Sequence, residues 1–166
     1  MKRTLVKDTL KKVGDEVTLF GFVDTIRDHG KISFLDLRDE TGIVQCVGKD
    51  LPKLTDESVV RVEGKVQERP KDLVNEDIET GGVEVSVGKI ELLSTAPEQL
   101  PFPIDNEGYD IDEELRLRYR YLDLRRKRLQ KNLRARSSYV QAARGYLFDN
   151  NFVEIETPML TKSTPE

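Results

Sequence analysis

Three features of the sequence predict a small Greek-key β barrel of the OB type, five strands in all, followed by a linker and an α-helical segment. Between residues 16 and 93, apolar and polar residues alternate in five short stretches separated by turn residues. Glycines inside the first and fifth stretches, Gly21 and Gly88, mark bulges that let short strands coil and close. Beyond Pro97, Pro101 and Pro103 the apolar spacing changes to threes and fours. An SH3-like barrel has a similar strand count and is the alternative topology.

Residues 3–12 read as a short segment covering one end of the barrel, and Gly14-Asp15 as a turn. The first strand is predicted from Glu16 to Arg27, rich in Val, Leu, Phe and Thr. His29-Gly30 turns the chain, and Lys31 to Arg38 returns. In this second strand Leu35 and Leu37 point inward, so Ile32, Phe34, Asp36 and Arg38 point outward. Thr41-Gly42 turns again into Ile43 to Val47, and Pro52 stands near the start of a short helix. Val59 to Arg69 places Val60, Val62 and Val66 inward; after a charged loop, Val83 to Leu93 places Val83, Val85 and Val87 inward and Glu84 outward. A proline-stiffened linker spans residues 96–110. A helix capped by Asp110 to Asp112 continues from Glu113 to Asp123. A longer helix runs from Lys127 to Asp149, with an apolar stripe of Leu129, Leu133, Val140, Ala143 and Leu147 broken only by Arg136. Asn150-Asn151 is a left-handed stop, and Phe152 to Glu156 is a short strand ended by Thr157-Pro158.

Composition narrows the function classes. No apolar run approaches membrane-spanning length, and the N-terminus lacks a signal-peptide core, so a soluble cytoplasmic protein is expected. The single cysteine, Cys46, excludes an internal disulfide framework and a cysteine-based zinc cluster, and its apolar strand marks it as packing; no metal ligands are expected. The net charge of −4 argues against a globally basic nucleic-acid binder. Residues 116–136, however, carry ten basic side chains against the one acid Asp123, so contacts with nucleic acid must come from local patches.

One stretch, Arg27 to Gln45, combines the parts of a single-stranded nucleic-acid site. Phe34 offers a ring for stacking, Arg27, Lys31 and Arg38 offer cations, and Gln45 on the next strand offers an amide for base edges. The residues alone leave two readings open: a binding face, or a barrel surface with a capped ring and ordinary solvated charges.

Three runs carry a family resemblance: RDHGKISFLDLRDETGIVQ, LRLRYRYLDLRR (Leu115–Arg126) and FVEIETPMLTKSTPE (Phe152–Glu166). In this order they resemble the N-terminal part of bacterial-type aspartyl-tRNA synthetases. Lysyl- and asparaginyl-tRNA synthetases share the architecture, but the Leu-Arg-Arg ending of the middle run and the Thr-Lys-Ser-Thr-Pro-Glu tail look like the aspartyl branch. The resemblance implies an anticodon-binding OB barrel over residues 1–95, a hinge over 96–111, and over 112–166 the start of a class II α+β catalytic domain.

It also implies roles. Phe34 corresponds to the ring that stacks on an anticodon base, while Arg27, Gln45, Arg69 and Glu84 match positions near the anticodon. The turn at His29 lies near the first anticodon base, where enzymes that charge only aspartate tRNA differ from those that also charge asparagine tRNA; His29 points to the wider specificity. Pro158 matches the proline of motif 1, which forms the homodimer interface, and Glu166 matches a glutamate that contacts the amino group of bound aspartate. The family reaction uses ATP and Mg2+ to aspartylate tRNA(Asp), with tRNA(Asn) as a further substrate in some members. Motifs 2 and 3, which hold ATP and magnesium, do not occur in these residues, so no catalytic residue is assigned, no bound cofactor is expected, and this stretch alone is expected to bind tRNA weakly without catalysing. The competing reading is a free-standing OB-fold module for RNA or a protein partner.

Overall fold

The computed structural model describes every residue except 1, 31, 161 and 164–166. The chain forms two compact units, Met1–Gln99 and Leu100–Glu166. The first is a closed barrel of five strands: β1 (Glu16–His29), β2 (Ile32–Asp39), β3 (Gly42–Gly48), β4 (Val59–Glu68) and β5 (Val83–Ser94). The strands follow the order β1-β2-β3-β5-β4, and β1 closes the barrel on β4. All neighbours are antiparallel except β3 and β5, which run parallel.

The period-two pattern sets the core. Leu35, Leu37, Val60, Val62, Val66 and Val85 are fully buried, as their alternation predicts, and Val87 packs partly buried at the edge of the same cluster. Gly88 is the extra residue of a bulge, since Glu63 pairs with Lys89 while Gly64 pairs with Val87. Gly21 plays a different part from the one predicted. The register shift falls between Val23 and Thr25, and at Gly21 a Cβ would sit 2.4 Å from the Arg38 carbonyl oxygen. Glycine there permits the close approach of two backbones.

A 3-10 turn, Val6–Lys11, packs on β3 and buries Val6, whose N–H donates to Asp39 Oδ2 at 3.0 Å. The short helix expected after Pro52 does not form. The Glu57 N–H donates to the Val23 carbonyl at 2.7 Å, and the Val23 N–H donates to the Ser58 carbonyl at 2.8 Å. These backbone groups are engaged across the barrel and are not free to close a helical turn.

The second unit contains α1 (Glu113–Arg118), α2 (Arg120–Asp123) and α3 (Lys127–Asp149). Asp112 caps α1, its Oδ1 accepting from the N–H groups of Glu114 at 2.9 Å and Leu115 at 3.2 Å. The helix predicted to run through to Asp123 breaks at Tyr119, where φ is −108° and ψ is 45°. Asp123 is fully buried and gathers arginines from both sides of that break. Arg116 donates to it through Nε at 3.1 Å and Nη2 at 3.2 Å, Arg120 at 2.7 Å, and Arg126 at 2.9 Å. Burial raises the pKa of this carboxyl, but the hydrogen bonds from Arg116 and Arg126 outweigh that and hold it below the usual carboxylate range. Arg126, itself without solvent exposure, also donates to the carbonyls of Pro103 at 2.7 Å and Asn106 at 2.8 Å, and lies 5.3 Å from the Phe102 ring centroid.

The left-handed stop forms at Asn151, with φ +66°. The Asn151 N–H donates to Phe148 and the Phe152 N–H to Leu147, the paired pattern of a Schellman motif. The predicted strand Phe152 to Glu156 is absent; those residues are irregular and exposed. A strand needs a neighbouring edge to satisfy its N–H and C=O groups, and no strand forms among the described residues of this unit. Among the described residues no helix is long and apolar enough to cross a membrane.

Candidate nucleic-acid interface

Two cross-strand rows define the outer face of β1, β2, β3 and β5. In the first, Phe34 lies opposite Arg27 on β1 and Val47 on β3. In the second, Asp36 lies opposite Gln45, and Gln45 lies opposite Glu84. Directly opposed side chains point to the same side of a sheet, so the rows present a ring, a cation, two carboxylates and an amide together. The Phe34 ring is half-buried and meets His29 edge-on at 5.6 Å between centroids. Arg27 Nη2 donates to Asp36 Oδ2 at 2.8 Å.

Asp36 is the electrostatic centre of the second row. Burial raises its carboxyl above the ordinary aspartate range; the Arg27 charge opposes that shift, Asp24 adds to it, and a hydrogen bond from the Gln45 amide and the Arg69 charge also oppose it. Gln45 is itself buried, and its Oε1 has no hydrogen-bond partner among the described residues. Arg69 follows β4, and its N–H donates to the Gly82 carbonyl at 2.9 Å. Its Nε lies 3.8 Å from Glu84 Oε2, within ion-pair range but beyond a hydrogen bond. Nε and Nη1 are buried without a hydrogen-bond partner among the described residues. Buried polar atoms left unpaired are costly, and this face collects one such acceptor and two such donors; Thr18 Oγ1 and Arg61 Nε are further unpaired buried atoms among the described residues. Behind the row, burial and then the Asp36 charge push the Cys46 thiol well above its ordinary range, which keeps it protonated and inert.

Arg27, His29, Phe34, Gln45, Arg69 and Glu84 thus come together on one side of the barrel. Arg38, one of the cations read beside Phe34, is committed elsewhere: it donates to Asp24 at 2.6 Å and to Glu57. In the basic run 116–136, Arg116, Arg120 and Arg126 are turned onto Asp123, whereas Arg118, Lys127, Lys131, Arg134 and Arg136 are exposed. Pro158 lies in the second unit, in the exposed irregular segment after α3. Lys31 and Glu166 lie outside the described residues. Sequence reasoning turned Asp36 outward but gave it no role. The signal was its place between Phe34 and Arg38, and the missing knowledge was the register that sets it against Gln45.

Comparison with known proteins assigns both units. Residues 17–93 match the family model described as the OB-fold nucleic acid binding domain, and residues 112–166 match that of the class II tRNA synthetases (D, K and N). The aspartate–tRNA(Asp/Asn) ligase of Thermosynechococcus vestitus is 49% identical over 95% of this chain. The chain is homologous to one part of the class II aspartate–tRNA ligases. A second member, from a Hydrogenobaculum species, is 48% identical over 98% of this chain. The chain spans about 28% of the length of these curated relatives. Among solved structures, asparaginyl-tRNA synthetase from Pyrococcus horikoshii, complexed with asparaginyl-adenylate, superposes with a TM-score of 0.79 at 30% identity, covering 98% of this chain and 38% of that one. Aspartyl-tRNA synthetase from Entamoeba histolytica shares the fold, with a TM-score of 0.85 at 23% identity over 98% of this chain and 40% of its own.

Proposed function

We propose that the barrel reads the anticodon of aspartate tRNA for an ATP-dependent aspartate–tRNA ligase. The observation that carries this reading is the outer face on which Phe34, Arg27, Gln45, Arg69 and Glu84 converge with hydrogen-bonding capacity unspent. Phe34 stacks on an unpaired base, Arg27 neutralises phosphate, and the acceptors Gln45 Oε1 and Glu84 with the donors of Arg69 read base edges. His29, against the edge of Phe34, borders the same stack, and tRNA(Asn) is the further substrate, in keeping with the Asp/Asn ligases the chain resembles. A free-standing binding module leaves the class II match over residues 112–166 unexplained.

In the whole ligase, aspartate is activated by ATP with Mg2+ and passed to the tRNA end in the cytoplasm. Among the described residues no group of three or more His, Cys, Asp or Glu side chains could hold a metal ion, and no step through ATP or magnesium is assigned to them. Glu166 is the proposed contact to the amino group of aspartate, as a carboxylate pairing with an ammonium. The exposed apolar side chains of α3, Leu133, Leu147 and Phe148, with the segment through Pro158, form the proposed homodimer surface.

The decisive test is Phe34→Ala in the 166-residue chain, measured as binding to an anticodon stem-loop of aspartate tRNA. Loss of stacking is expected to weaken binding by about 1–3 kcal/mol. Unchanged affinity with an intact fold would remove the ring from the binding face.

A further inference from the structure

We propose that Asp36 is a positioning residue for base readout: it fixes which end of the Gln45 amide meets the bound base and holds the Arg27 guanidinium in place on the same face. The inference rests on the anticodon reading above and names the group that makes that reading selective. Asp36 occupies the centre of the face, directly across from Gln45 on β3 and paired at 2.8 Å with Arg27 from β1. An ionised carboxylate only accepts hydrogen bonds. Gln45, directly opposite across the strands, must therefore turn its NH2 end toward Asp36. The carbonyl end is then left over, and Oε1 is the atom that lacks a hydrogen-bond partner among the described residues. An amide free to turn over would offer a donor to one base and an acceptor to another. One held by a carboxylate offers an acceptor alone and selects a base edge that presents N–H at that point.

The same carboxylate limits where Arg27 can go. Arg27 is half exposed, and a long cationic side chain in that setting samples many rotamers. The Asp36 contact holds it near Phe34, its direct cross-strand neighbour, where a phosphate flanking a stacked base would pass. Arg69 approaches from the end of β4 and adds a second charge facing Asp36, so the carboxylate is hemmed in by the groups argued to touch RNA.

The test is Asp36→Asn in the whole chain, which keeps the shape but lets either end of the Gln45 amide face position 36. Asp36→Ser is the second variant, because a hydroxyl also both donates and accepts. Binding is measured to the aspartate anticodon stem-loop and to stem-loops carrying each single base replacement, alongside urea midpoints. The wild type is expected to discriminate, and Asp36→Asn to lower affinity for the cognate loop about tenfold, the size of one lost charge-assisted hydrogen bond, while barely changing the loop altered at the Gln45-read base. In a Gln45→Ala background the same substitution should no longer change that discrimination. Equal weakening on every loop, unchanged discrimination, or full additivity with Gln45→Ala would overturn the proposal while leaving the anticodon reading intact. A wild-type chain that binds all loops alike would overturn both.

Discussion

Asp36 is held by opposing influences, and their balance has a measurable sign. Burial favours its neutral form in the folded chain, with Arg27 as the leading opposing charge. Its folded pKa lies above the unfolded value, so its contribution to stability is fully present below the unfolded carboxylate pKa and is lost as pH rises through the folded one. Urea midpoints of the wild type relative to Asp36→Asn are therefore expected to fall as pH rises across the carboxylate range; a difference that grows with pH would contradict the burial argument. Arg27→Ala is expected to raise the Asp36 pKa further and to weaken RNA binding. At this scale alternation alone made much legible: Phe34, Asp36 and Glu84 faced outward on the sequence pattern. Two facts stayed hidden. Arg38 is spent on Asp24 and Glu57, and Arg69 finds Glu84, because each pairing is set by how the strands and loops come to lie side by side and not by residues adjacent in sequence.

Within the second unit the decisive element is the arginine cluster that ends α2 and precedes α3. Asp123 and Arg126 are both without exposure, and removing one partner leaves the other buried and charged. Arg126→Ala is expected to destabilise this unit by about 3–5 kcal/mol, read by loss of helical circular dichroism in urea. Gly108 supports the same cluster. Its φ is +71°, and a Cβ there would fall 2.6 Å from Arg126 Cζ. Gly108→Ala is expected to cost about 1 kcal/mol or more. Asp123 titrates in the opposite sense to Asp36. Because its folded pKa is depressed, its stabilising effect is present above the unfolded carboxylate pKa and lost as pH falls through the folded one. Acidification should therefore melt the second unit's helical signal earlier in the wild type than hydrophobic burial alone predicts, and Asp123→Asn should flatten that dependence. The period of the apolar residues announced α3 and its Asn151 stop. It could not announce the break at Tyr119, which accompanies four arginine hydrogen bonds to one carboxylate rather than any local breaker residue.

For the molecule as a whole, the net charge of −4 disfavours broad electrostatic attraction to RNA, so the proposed binding is expected to rest on a few local cations. The dependence of log K on log salt should be shallow, about 0.7 for each phosphate contact to a single strand, and Arg27→Ala should reduce it by about that amount. A steep slope would point to the basic run 116–136, where Arg116, Arg120 and Arg126 already face Asp123. Residue pattern was enough for the barrel, its inward valines and the long helix, since strand alternation and helical spacing are local consequences of backbone geometry. It was also enough to name Phe34 and Glu84 as outward residues. It did not reveal that Asp36 faces Gln45, that Gln45 and Arg69 keep buried polar atoms unpaired, or that residues 152–156 form no strand. Those outcomes depend on register and on partners far along the chain, and hydrogen bonds and charges acquire their meaning only when the fold has brought both members of each pair together.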